Sequence, residues 1–310
     1  MTSVRPYESS DDAAWDALVR SSRVSHFLFL RDYMEYHSDR FEDASLLVFE
    51  DDALAAVLPA NRVGSEVVSH GGLTFGGLVG GPAMSANGAL RALEAATAWL
   101  AAEGVERLVY KPVPHVYHST PAEEDLYAIF RLGARLLARD LSSAILLDAP
   151  LPYSKGRRAS LKRAREQGID VAPSEDFDAF IALAERVLER HDATPTHSAA
   201  ELAALAARFP EHIHLVTARH GGELVAGVVV YETDVVAHTQ YIAASESGKD
   251  LGAVDLIVDA LIDGYKGQKR WFDFGISTER GGEVLNAGLV RNKESYGARA
   301  VVYDRYELAL

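Results

Sequence analysis

The chain has 310 residues, of which 48% are hydrophobic, a formal charge of −14 and no cysteine. That length suits two domains of ordinary size, and the missing cysteines exclude disulfides, thiol nucleophiles and thiolate metal sites, while the histidines and carboxylates show no metal-ligand spacing, so neither a metal nor a permanently bound cofactor is expected. The acidic balance disfavours a nucleic-acid binder over the whole surface, no apolar run reaches the length of a bilayer span, and the N-terminus lacks the order of a secretory signal; cytoplasmic residence is the expectation.

In chain order, residues 11–21 read as an amphipathic helix. Residues 46–49 and 54–58 flank an acidic turn at Glu50, Asp51 and Asp52 and read as a hairpin, followed by a strand through Val67, Val68, Ser69 and His70. Residues 88–102 place Leu90, Leu93, Thr97 and Leu100 on one helical face, with Gly104 as the stop, and a strand over 107–110 follows. Ala149, Pro150, Leu151 and Pro152 break the pattern and mark a linker, which divides the chain into domains 1–150 and 151–310. A helix over 177–190 with Ser174 as N-cap opens the second half. It is followed by strands over 213–218 and 224–231 around Gly221 and Gly222, a strand through Val235 to His238, a helix over 253–266 and a strand over 270–274. The order repeats, with Leu54 aligned to Leu224 and His70 to His238. Duplication of a mixed α/β unit follows, each copy a central sheet flanked by helices.

The densest polar chemistry lies at the end of the second copy. Asp273 alternates with Phe272 and Phe274 on a strand and so faces away from the aromatic pair; a buried carboxylate there could take the proton of an attacking amine, as could Glu279. Ion pairs with Arg270 or Arg299 are the structural alternative. Lys293 follows a polar loop and is the candidate to stabilise negative charge on an acyl oxygen, with a salt bridge to Glu294 or Glu279 as the plain alternative. Ser277, Asn286 and Arg299 complete a set that could bind substrate, or shape turns. In the first half, glycine-rich residues 69–77 include His70 and Thr74 and precede Lys111 and Tyr117, which together suggest an acceptor pocket; His70 reads equally well as a core histidine. His191, His197, Gln240 and Tyr241 extend the polar lining of the second half. Residues 154–165 carry six cations and no acid, with Arg158, Lys162 and Arg165 on one helical side: a phosphate clamp, or a solvated helix face.

Helix, hairpin, strand, helix and strand, used twice, resembles the GNAT N-acyltransferase fold in tandem, as in the Fem-type aminoacyltransferases. Asp273, Phe274 and Gly275 followed by Lys293, Glu294, Ser295, Tyr296 and Gly297 resemble the closing motif of that group and of related acetyltransferase-like domains. The resemblance implies N-acyl transfer to an amine of a cell-wall precursor or small metabolite, a functional lysine at Lys293 and a basic helix at the start of the second domain. It also implies one of two donors, charged tRNA or acyl-CoA. Coenzyme A-dependent GNAT enzymes hold the pyrophosphate on a glycine-rich loop at a helix N-terminus. Here Ser247 to Ala253 puts Asp250 where a glycine is expected, which suits the tRNA-dependent Fem-type enzymes better. A silent ligand-binding module is the remaining alternative.

Overall fold

The computed structural model describes residues 1–189 and 194–310; His191 falls outside them. The chain forms two compact units. One comprises Met1–Leu141, Thr278–Leu285 and Val301–Leu310, the other Ser142–Ser277 and Asn286–Ala300.

In the first unit, β1 (Thr2–Pro6) pairs antiparallel with β2 (Leu46–Glu50), after α1 (Asp12–Ser21), and β2 with β3 (Ala53–Leu58). Asp51 and Asp52 make the tight turn with φ of 48° and 66°, the left-handed conformations that two-residue hairpins need. β4 (Glu66–Val68) lies parallel to β5 (Arg107–Tyr110), with α2 (Ala86–Ala102) between them in sequence. Ser85 caps α2 by accepting from the Gly88 amide. At the other end Gly104 adopts φ 76° and the Val105 amide reaches back to Leu100 O, satisfying carbonyls that the helix leaves open. Leu93, Ala96 and Leu100 of α2 pack with Leu46, Val48, Leu58, Val67 and Leu108 of the strands. α3 (Glu124–Arg131) and β6 (Arg135–Leu146) follow, β6 passing after Leu141 into the second unit.

The second unit opens with α4 (Lys155–Arg165), β7 (Asp170–Ser174), α5 (Phe177–Leu188) and α6 (Ala199–Arg208). β8 (Ile213–His220), β9 (Glu223–Glu232) and β10 (Val236–Ala244) form an antiparallel run with β7 paired to β8. The short α7 (Glu246–Leu251) and α8 (Ala253–Tyr265) lead to β11 (Trp271–Ile276), which runs parallel to β10 and antiparallel to Ser142–Leu146 of β6. Phe272 and Phe274 pack with Ile257, Val258 and Leu261 of α8 and with Val228 and Val230 of β9. The chain then contributes β12 (Thr278–Glu279) and β13 (Val284–Leu285) to the first unit. α9 (Ala287–Glu294) belongs to the second, and β14 (Arg299–Ala309) pairs with β5 over Tyr306 to Ala309.

The repeat is visible in register. Leu54 opposes Phe49 and Leu224 opposes Arg219, each two residues past a tight turn, and each ladder carries an irregularity at that point, after Val48 and after Ala218. The histidines are not equivalent. His238 sits within β10 opposite Asp273, whereas His70 lies two residues beyond the end of β4 with φ 58°. The cap of α5 also differs from expectation: Asp176 accepts from the Ala179 amide, while Ser174 ends β7.

Candidate active site

The parallel ladder between β10 and β11 has three rungs, Val236 with Trp271, Ala237 with Phe272 and His238 with Asp273. Beyond the third rung β10 stays on β9 while β11 resumes pairing at Ile276 with Ser142. Asp273 marks this point. Alternation sends its side chain away from Phe272 and Phe274, and it is fully buried. Its Oδ1 accepts from Ser142 Oγ at 2.6 Å and from the Gly275 amide at 3.2 Å, and its Oδ2 lies 2.8 Å from His238 Nδ1. With Asp273 as the carboxylate, Nδ1 carries the proton and Nε2 holds the basic lone pair. The His238 side chain is 16% exposed. A carboxylate–imidazole pair whose imidazole is partly exposed can take up a proton and return it. Gly275 makes room for the ring: its φ is 74°, and a Cβ there would stand 3.2 Å from His238 Cε1.

Lys293 projects from α9 into the same neighbourhood and is 4% exposed. Its Nζ donates to Gly275 O at 2.7 Å and to Ile276 O at 2.9 Å. Burial lowers its pKa to about 8, against the opposing pull of the Asp273 charge. The amine therefore anchors the strand end that carries Asp273, and its third N–H has no partner among the described residues. Ser277 Oγ is likewise buried and without a partner among those residues.

The basic segment forms α4, capped by Ser154, and divides its cations by face. Arg157 shares the inner face with Leu161 and Ala164. It pairs with Asp255, donates from Nε to Ser295 Oγ at 3.0 Å, and lies 3.9 Å over the Tyr296 ring. Asp255 also accepts from Ser160 Oγ at 2.9 Å and from Tyr296 Oη at 2.8 Å. Arg165 pairs with Asp259 of α8 at 2.7 Å. Arg158, Lys162 and Arg163 remain exposed, Arg158 donating to Tyr153 O. The first turn of α8 is thereby filled. Asp255 occupies it, and a Cβ on Gly252 would stand 3.1 Å from Ala164 Cβ. Asp250, singled out from sequence, is exposed on α7; the groups that close the α8 N-terminus are Asp255 and α4.

The remaining candidates scatter. Glu279 is exposed on β12 of the first unit, whereas Asp273 and Lys293 belong to the second. Tyr241 on β10 lies 2.6 Å by its hydroxyl from His197 Nδ1, and burial raises its pKa; Gln240 beside it is half-buried. Asn286 caps α9 through Leu289 N, and exposed Arg299 donates to Ala298 O. In the first unit Lys111 is buried, with Nζ donating to His70 O at 2.6 Å and to Leu73 O, and burial lowers its pKa to about 8. It holds the glycine-rich loop to the end of β5. His70 is buried, Thr74 is exposed, and Tyr117 packs on Phe75 with its hydroxyl 3.0 Å from that of Tyr303.

The open grooves lie elsewhere. One of about 940 Å³ in the second unit is lined by Phe177, Ala203, His214, Val216 and Tyr265, and one of about 600 Å³ in the first by Tyr7, Asp43, Arg62 and Trp99. Neither includes His238, Asp273 or Lys293. Among the described residues no group of three or more side chains is placed to hold a metal ion, and no helix is long and apolar enough to cross a membrane. His238 was reachable from sequence only as a repeat marker, and Arg157 by its place in the stripe with Leu161 and Ala164.

Residues 154–281 match the family model described as an acetyltransferase (GNAT) domain. No curated protein matches the chain. Among solved structures, FemX is similar over 99% of this chain and 97% of its own, with 12% identity and a TM-score of 0.69. L-PGS from Bacillus licheniformis is similar over 90% of this chain and 91% of its own, with 14% identity and a TM-score of 0.59. A tandem GNAT protein from the clavulanic acid biosynthesis pathway is similar over 100% and 98%, with 12% identity and a TM-score of 0.53. At these identities the likeness is one of fold.

Proposed function

We propose that this chain, whose residues 154–281 match an acetyltransferase (GNAT) domain model and whose fold is similar to FemX and to a tandem GNAT protein, is an acyl-transferring enzyme whose second unit moves an aminoacyl group from charged tRNA to the amine of a cell-wall precursor or small metabolite. The observation that carries the catalytic part is the His238–Asp273 pair at the end of the β10–β11 ladder. In the proposed reaction the acceptor amine attacks the carbonyl carbon of the activated acyl ester. A C–N bond forms as the C–O bond breaks, and the amine proton passes to His238 Nε2 and from there to the departing oxygen. Asp273 is fully buried and acts through His238, holding the tautomer and stabilising the imidazolium, rather than as the base itself. The remaining N–H of Lys293 supplies charge near the oxygen that becomes negative in the transition state.

The closed first turn of α8 supports the tRNA donor, because a pyrophosphate would have to displace Asp255 and the overlying α4. The exposed Arg158, Lys162 and Arg163 offer charge to a phosphodiester backbone instead. The second reading, a coenzyme A-dependent acetyltransferase, is favoured by the description of the matched domain. Transfer of a radiolabelled acyl group to a panel of amines, from aminoacyl-tRNA in one arm and acetyl-CoA in the other, tests this. Product from the tRNA arm alone is expected. Product from acetyl-CoA with tight coenzyme binding overturns the donor assignment, and no product with any donor or amine favours a ligand-binding module.

A further inference from the structure

We propose that the turn joining α3 to β6 in the first unit is a docking surface for an anionic lipid bilayer. Four large apolar side chains are exposed within eleven residues of chain: Tyr127 is 50% exposed, Phe130 72%, Leu136 48% and Leu137 46%. α3 turns Ala128 and Ile129 into the core. Tyr127, Phe130 and Arg131, at i, i+3 and i+4, therefore share its outward face. The helix stops at Gly133 with φ 86°, where the Gly133 amide donates to Phe130 O, and the chain turns directly into Leu136 and Leu137. A concentration of this kind is unusual for a surface that meets only water.

The charge of the segment identifies the partner. The protein carries 45 acidic residues against 31 basic ones, yet residues 126–139 contain three arginines and no acid. Arg139 is held by Asp304, but Arg131 donates only to the Tyr127 hydroxyl and Arg135 is exposed with no ion pair among the described residues. Aromatic and aliphatic side chains flanked by the exposed guanidinium groups of Arg131 and Arg135 match the bilayer interface, where rings sit at the headgroup level and arginine meets anionic lipid.

The test is cosedimentation of the full chain with extruded vesicles of phosphatidylglycerol and phosphatidylcholine, against vesicles of phosphatidylcholine alone. Binding to the anionic vesicles only, weakened by salt, is expected. It should fall about tenfold or more in a Phe130→Ser, Leu136→Ser variant, and about tenfold in Arg131→Gln, Arg135→Gln, both with unchanged melting temperature because the side chains are exposed. Absence of binding by the unaltered chain, or binding indifferent to both variants, overturns the proposal. So does a dimer in solution that the Phe130→Ser, Leu136→Ser variant converts to a monomer, since the patch would then be covered by a second copy.

Discussion

The first and second units place the same three-rung parallel ladder after the same kind of hairpin, and differ at the last rung. In the first unit that rung is Val68 opposite Val109; in the second it is His238 opposite Asp273. Both units then anchor the loop beyond a strand end with a buried lysine spanning two main-chain carbonyls. Lys111 holds His70 O and Leu73 O, and Lys293 holds Gly275 O and Ile276 O, each with a pKa lowered to about 8 by burial. A buried amine between carbonyls is thus part of how both units are built, and the second sets the His238–Asp273 pair beside it. Under the proposed function the scaffold presents the position, and the side chains at one rung supply the chemistry.

The largest expected effect concerns a second contrast. In the first unit the start of α2 is closed by Ser85, with Met84 Sδ 2.9 Å from where a Gly88 Cβ would be; in the second the start of α8 is closed by the Arg157–Asp255 pair. Arg157→Ala leaves Asp255 in a partly buried site without its cation and should cost about 3–5 kcal/mol in urea unfolding, whereas Arg158→Ala, on the exposed face, should stay within about 0.5 kcal/mol. Equal losses would mean that α4 is not fastened through Arg157.

Next comes the carboxylate of the last rung. Asp273→Asn offers an amide that can reverse the imidazole tautomer, and should lower the transfer rate about 100-fold or more with little change in acceptor KM. Val109→Asn, at the matching rung of the first unit, should leave the rate unchanged. The two lysines come third. Lys111→Met and Lys293→Met each strand two carbonyls and should each lose about 1–3 kcal/mol of stability, but only Lys293→Met should also slow transfer, by about tenfold.

The smallest effect is a slope. Both lysines have folded-state values of about 8 against an ordinary 10.5, so below pH 8 the folded chain bears the full cost of two buried charges. As pH rises from about 8 toward 10 the folded chain releases protons that the unfolded chain still binds, and stability rises. Either Lys→Met variant should flatten that rise in melting temperature, and an unchanged slope in both would place its origin elsewhere.

The duplication was legible because hairpin turns and strand patterning leave marks a few residues long: Asp51 and Asp52 in one copy, Gly221 and Gly222 in the other. Asp273 was legible because alternation between two phenylalanines fixes its face. Its partner was not. His238 meets Asp273 across a parallel pairing separated by α7 and α8, and no local pattern specifies which rung faces which. Strand β7 was hidden by Pro173, which an edge strand tolerates. The allocation of β14 was hidden too, since the last ten residues belong to the first unit, a long-range choice made by pairing with β5.

The most direct test of the central claim is the single-turnover rate of acyl transfer by His238→Gln, with whichever donor supports transfer by the unaltered chain. A fall of about 100-fold or more with donor binding unchanged is the predicted result, and a rate equal to that of the unaltered chain would contradict the assignment of the site to the last rung of the second unit.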